Sequence, residues 1–197
     1  MKIMILDGSP RKQNTAAMAA AFAESAREAG HEAEIVKVGT MKIAGCKACE
    51  YCHGKGEGTC IQKDDMDQVI AAYKDCDMVV FASPIYYFGM SAQIEAAIQR
   101  VYCIGKPPKA AKAALILSSG SKGVYDGAIA QYKAMIGYMG IEDVGIVTAA
   151  GEENGTDAKL AEVRELAKSL SGRGCFPASR NCSKTDGEHR AASCRFR

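Results

Sequence analysis

The chain has 197 residues, 48% of them hydrophobic and 24% charged, which is the size and balance of one globular domain with a substantial core. Residues 171–197 hold six Lys/Arg and two acidic side chains of a chain whose net charge is +2, so residues 1–170 carry −2. That body lacks the basic footprint of a nucleic-acid binder.

Met1–Asp7 (MKIMILD) is a short apolar run broken by Gly8, and it predicts a first strand. Ser9-Pro10-Arg11-Lys12-Gln13-Asn14-Thr15 reads as a polar loop. It opens an Ala-rich helix from Thr15 to Ala29, with Met18 and Phe22 one turn apart and Gly30 as its stop. His31–Val38 alternates as a second strand, and Met41–Ile61 is a long loop with four cysteines. Asp64–Asp75 places Met66, Val69, Ile70 and Tyr73 at helical spacing. Asp77–Ala82 is a buried strand that Ser83-Pro84 ends, and Ile85-Tyr86-Tyr87-Phe88 is an aromatic loop. Ser91–Cys103 is an amphipathic helix and Lys112–Ser118 a fourth strand. After a glycine-serine loop come a helix over Asp126–Met139, a strand over Ile141–Thr148 and a last helix over Thr156–Leu170. Residues 171–197 lack apolar periodicity and are expected to form a disordered basic tail beside a single domain over 1–170. No apolar run reaches about 18 residues, so no transmembrane helix is expected. Met1-Lys2 runs into the first strand without a cleavage site, so the expected location is the cytoplasm.

Strands alternating with helices predict an α/β protein: a doubly wound, five-stranded parallel sheet in the order 2-1-3-4-5, with helices on both faces. Ligands of such sheets bind outside the carboxyl ends of the strands. Loops 8–15, 83–90 and 118–125 meet there. The first suits an anion, because the leading N–H groups of a helix have no partner and carry the positive end of its dipole. Ser9, Asn14 and Thr15 add donors, and Arg11 adds a charge that binds phosphate oxygens in pairs. The loop matches neither a Walker A sequence nor G-x-G-x-x-G, so one phosphate monoester fits better than ATP or a dinucleotide. The plainer alternative is an N-capped βα turn.

Nine cysteines in a reducing compartment are not read as a disulfide framework. Cys46-x2-Cys49-x2-Cys52-x7-Cys60 places three thiols within seven residues, at the spacing of three ferredoxin cluster ligands, with a fourth nearby. Gly54, Gly56 and Gly58 let the loop wrap a compact object. A [4Fe–4S] cluster, zinc and unliganded reduced thiols remain the readings of this stretch. His53 beside Cys52 reads as a loop residue, and the other five cysteines lie outside the spacing.

Gly8-Ser9-Pro10-Arg11-Lys12 with Asn14-Thr15, the Cys46–Cys60 stretch followed by Asp64-Asp65-Met66, and Ser83-Pro84-Ile85-Tyr86 leading to Gln99-Arg100 together resemble the NADPH-dependent FMN reductase family. Within it the sequence resembles most the iron–sulfur flavoprotein branch, over residues 1–170. The resemblance implies a flavodoxin-like fold that binds FMN, with Ser9, Arg11, Lys12, Asn14 and Thr15 around the phosphate. Pro84, Ile85, Tyr86, Tyr87 and Phe88 would border the isoalloxazine ring, and Ser119 and Gly120 its other side. The flavin N5 would accept hydride from NAD(P)H as a transient co-substrate, so no side chain is expected to be catalytic. Cys46, Cys49, Cys52 and Cys60 are the expected cluster ligands. One departure is Gln99, where the family usually has Asp; Arg100 is left without a role.

The expected function is therefore an FMN-dependent oxidoreductase that passes electrons to a flavin, a quinone or another small acceptor. One alternative is an iron–sulfur electron carrier linked to ferredoxin, and another is a non-enzymatic flavin-binding or redox-sensing module. A homodimer or tetramer is expected, because the flavin edge is open and the 41–61 loop is too long for a simple connection.

Overall fold

The computed structural model describes residues 1–171. The expected tail beyond them, with Cys175, Cys182 and Cys194, lies outside the described residues. The elements run β1 (Lys2–Asp7), α1 (Asn14–Glu28), β2 (Glu32–Val36), α2 (Met66–Asp75), β3 (Met78–Tyr86), β4 (Gly89–Met90), α3 (Ala92–Arg100), β5 (Lys112–Ser119), α4 (Asp126–Met139), β6 (Glu142–Ala150) and α5 (Asp157–Lys168). The parallel strands follow the order β2-β1-β3-β5-β6, and the two-residue β4 pairs antiparallel with β3 alone. With β4 set aside, this is the expected doubly wound order. No helix is long and apolar enough to cross a membrane among the described residues.

Side chains alternate between the faces of a strand, so each strand feeds two cores. Ile3 and Ile5 of β1, with Met78 and Val80 of β3, pack under Met18 and Phe22 of α1 and Val163 of α5. Met4 and Leu6, with Val79 and Phe81, pack on the other side against Val69 and Tyr73 of α2, Ile94 of α3 and Tyr132 of α4. Both faces of the central strands are therefore buried, which explains their near-continuous apolar runs.

The expected stop at Ser83-Pro84 is not one: β3 continues to Tyr86. β1 has already ended opposite Ala82, and Pro84 is paired only with Ser118 of β5. The ring thus sits where no donor is needed on the β1 side. The aromatic loop shrinks to the turn Tyr87-Phe88, which joins β3 to β4. Both residues have positive φ (50° and 69°), the backbone of a two-residue hairpin turn that normally favours Asn and Gly.

Candidate functional site

β1 carries Asp7 and Gly8 to the carboxyl edge, where the loop is tied on three sides. Gly8 N–H donates to Ala82 O (2.8 Å), Ser91 Oγ donates to Gly8 O (2.7 Å), and Asp7 Oδ1 accepts Ser9 N–H (2.9 Å). Glycine is needed at two contacts here. A Cβ on Gly8 would stand 2.8 Å from Ile94 Cβ and Ser91 Oγ, and one on Gly39 would stand 2.2 Å from Ser9 O. Asp7 is 3% exposed; burial pushes its carboxyl up, against the pull of Ser9 N–H and Lys37.

The start of α1 lacks a side-chain cap and has no acidic residue in its first turn. Its leading N–H groups and dipole therefore point at an open space with nothing negative in front of them. One of the expected donors, Ser9, is spent within the protein, and Thr15 is paired with a neighbouring hydroxyl, either of which can donate. Ser9 Oγ donates to Arg11 O (2.8 Å) and accepts from Arg11 N (3.2 Å), and the Thr15 and Ser118 hydroxyls pair at 2.6 Å. The Arg11 guanidinium is exposed and has no ion pair among the described residues.

These groups face an open pocket of about 260 Å³, close to the lower end of the range of small-molecule sites. Nine of the twelve expected residues line it: Ser9, Arg11, Asn14 and Thr15 at one end, Pro84, Ile85 and Tyr86 along one wall, Ser119 and Gly120 on the other. Lys12, Tyr87 and Phe88 do not. Tyr87 and Phe88 are 98% and 60% exposed at the hairpin tip.

Four lining residues were not expected: Gln13, Ser118, Gly151 and Asn154. Asn154, in the loop after β6, donates from Nδ2 to Ser119 O (2.7 Å) and Gly151 O (2.9 Å). Two carbonyls fix which end of the amide carries the hydrogens. Its Oδ1 is buried without a hydrogen-bond partner. The sequence signal was slight: Asn154-Gly155 reads only as a turn.

The second site lies along the far end of α3. Cys46, Cys49, Cys52 and Cys60 line one small cavity of about 20 Å³, together with Arg100, Tyr102 and a fifth thiol, Cys103. It shares no lining residue with the first pocket. Ser91 caps α3 beside Gly8, and the helix rises about 13 Å from there to Arg100. All six cysteines of the described residues are free. Ala48 N–H donates to Cys46 Sγ (3.4 Å). Ala48 and Glu50, between the cysteines, have φ of 50° and 53°, so the loop is wound inward against ordinary backbone preference. Among the described residues no three Cys, His, Asp or Glu side chains form a group for a single metal ion.

Arg100 anchors this loop. It is 2% exposed as a residue, and it grips Asp64 through two bonds (2.7 and 3.1 Å) while Nη1 also donates to Ala44 O (3.0 Å). Burial pushes the Asp64 carboxyl up, but Arg100 and the N–H groups of Ala44 and Met66 outweigh it and hold the carboxyl below its usual range. Arg100 Nε is buried without a partner. Glu50 accepts from Tyr102 Oη (3.1 Å), and the His53 ring meets the Tyr102 ring edge-on. His53 is thus a packing residue of the loop.

Residues 1–155 match the family model described as NADPH-dependent FMN reductase. An iron–sulfur flavoprotein of Archaeoglobus fulgidus is 34% identical over 146 residues, covering 71% of this chain and 60% of that protein. An iron–sulfur flavoprotein of Methanosarcina thermophila is 36% identical over 101 residues, covering 51% of this chain and 52% of that one. The chain thus spans between half and two-thirds of the length of these relatives. An NAD(P)H:quinone oxidoreductase structure from Methanothermobacter marburgensis superposes with a TM-score of 0.69 at 20% identity, over 88% of this chain and 98% of that one. The fold is flavodoxin-like.

Proposed function

The chain belongs to the NADPH-dependent FMN reductase family, and we propose that it is an FMN-dependent oxidoreductase taking electrons from NAD(P)H to a flavin, quinone or other small acceptor. The observation that carries this is the uncapped start of α1 opening, with Arg11, on a pocket whose lining also holds a fixed, unused acceptor in Asn154. The residues fit the cofactor. The N–H groups of α1 and the Arg11 fork suit one phosphate. Pro84, Ile85 and Tyr86 offer an apolar and aromatic wall opposite Ser119 and Gly120. Asn154 Oδ1 would take an N–H or O–H of the ligand, and Ser9 would shape the loop instead of donating its hydroxyl. Bound FMN supplies the redox chemistry, accepting hydride and passing electrons on. No side chain of the pocket need be catalytic.

The test is protein purified without oxygen. FMN should be present at one per chain and should bleach on adding NADPH. Absent flavin, or FMN that NADPH leaves oxidised, would overturn the reading; the second result would favour a flavin-binding or sensing module.

A second reading rests on the cysteine cavity. Four thiols around one space, an N–H bonded to one sulfur and a buried cation beside them suit a multi-atom [4Fe–4S] cluster. Cys46, Cys49, Cys52 and Cys60 would be its ligands, and the protein would then be an electron carrier linked to ferredoxin. Iron and labile sulfide in the anaerobic protein, lost on replacing each of the four, would support it. We further propose a homodimer or tetramer in the cytoplasm, where thiols stay reduced.

A further inference from the structure

We infer that Arg100 is a positioning residue of the four-cysteine site, a built-in counter-charge that offers its Nε–H to sulfur in that cavity. The inference rests on the reading of the four cysteines as a cluster site and extends it to a residue outside the motif.

The geometry is specific to a guanidinium. The Arg100 side chain is 1% exposed, so water does not satisfy it. Its outer edge is committed: Nη1 and Nη2 bind the two Asp64 oxygens and Nη1 also binds Ala44 O. A two-point grip on a planar group fixes the plane, and with it the direction of the remaining N–H. That N–H, on Nε, has no partner. A buried, unpaired donor on a charged group is costly, and natural proteins rarely retain one without use. The cavity that Arg100 helps to line is walled by Cys46, Cys49, Cys52 and Cys60, and Cys60 is among the groups acting on the guanidinium. Sulfur is therefore the acceptor chemistry at hand.

A fixed cation has a definite effect there. Four thiolates crowd negative charge into one small space, and each electron added to a cluster between them adds more. Net charge and hydrogen bonds to sulfur set the potential of such centres. Arg100 would stabilise the assembled thiolates and favour the reduced state. Ala48 N–H on Cys46 Sγ would do the same at another corner. Asp64, on this view, orients the arginine and does not touch the cluster.

The experiment uses the full chain with FMN bound. Wild type, Arg100→Lys and Arg100→Gln are reconstituted without oxygen with ferrous iron and sulfide. Iron retained against a chelator and the midpoint potential of the iron chromophore are then measured, with FMN content as the control for the pocket and urea unfolding as the control for the loop. Arg100→Gln should release iron about tenfold faster. It should also shift the reduced-to-oxidised ratio about tenfold toward the oxidised form at fixed potential, a fall of about 59 mV for one electron. Arg100→Lys keeps the charge without the Nε–H and should fall between Gln and wild type; it carries the test should the Gln variant fail to fold. Wild-type potential and retention in a folded variant that lacks the Nε–H would overturn the role of Arg100 alone. A wild type that takes up no iron would overturn the cluster reading and this inference with it.

Discussion

The pocket at the carboxyl ends of the strands and the cavity of the four cysteines flank opposite ends of α3, and the chain supports them by different means. The walls of the pocket are the last residues of β3 and β5, the start of α1 and the loops that follow β1, β5 and β6. Two apolar cores, one on each sheet face, fix those ends before any pocket residue makes a contact. The cysteine cavity is walled mostly by irregular chain between Ala44 and Gln62. Its ties are few: the Arg100–Asp64 fork, Lys42 N–H to Asp65 (2.7 Å), Gln62 Nε2 to Gly45 O (3.1 Å), and the Tyr102 contacts with Glu50 and His53. Damage should therefore act differently in the two places. In the pocket, losing one side chain should cost affinity and leave the fold alone. In the cysteine loop, losing the one buried tie should cost the fold of the loop itself.

The largest effect expected is that of Arg100→Ala. It strands Asp64, whose side chain is 15% exposed, and should destabilise the protein by about 3–5 kcal/mol, read by urea unfolding. A loss below about 1 kcal/mol would mean that the loop does not depend on this pair. Next comes Arg11→Ala, which should weaken FMN by about 2 kcal/mol while leaving the melting temperature of the apoprotein unchanged, because the guanidinium has no ion pair among the described residues to lose. Flavin fluorescence titration checks the first half and apoprotein melting the second. Equal FMN affinity would remove Arg11 from the phosphate site.

Asn154→Ala should weaken FMN by about 1–2 kcal/mol, the scale of one buried hydrogen bond with its loop support. If FMN binds unchanged, the orphan acceptor serves something else. The smallest effect is one of pH. Burial raises the Asp7 carboxyl above its unfolded value of 3.8. The folded state therefore prefers the neutral acid, and that preference is fully present at low pH and lost as pH rises through the folded pKa. Asn keeps an acceptor for Ser9 N–H without the charge. Asp7→Asn should thus gain stability relative to wild type as pH climbs above the carboxylate range, and the two should converge in acid. Parallel melting profiles across that range would show that Asp7 does not carry the linkage.

The same contrast explains what could be read from residues alone. The strand and helix pattern is written in alternation and in 3.6-residue spacing, so the sheet order followed from it. β3 was cut short because Ser83-Pro84 looks like a stop, and only the early end of β1 opposite Ala82 makes a proline acceptable there. The phosphate loop was legible as a local motif. Asn154 was not, because its value lies in two carbonyls, one in its own loop and one at the end of β5, that lock its amide. The four cysteines announced themselves by spacing, but Cys103 and Arg100 join them through the end of α3, more than 40 residues away in sequence. Tyr87 and Phe88 are expected beside the ring, and the structure places them exposed at the hairpin turn, a position that their own sequence does not signal.

That turn holds a backbone that its own side chains disfavour. Two bulky aromatic residues hold a left-handed backbone that Asn-Gly would adopt without strain, at a cost of order 1–3 kcal/mol each. A lineage filtered only for thermal robustness would have replaced them. A library randomised at positions 87 and 88 should therefore drift to Asn-Gly when screened by heat alone, and should keep aromatic side chains when screened for turnover or assembly. Whichever screen preserves Tyr-Phe identifies the pressure under which this rim evolved.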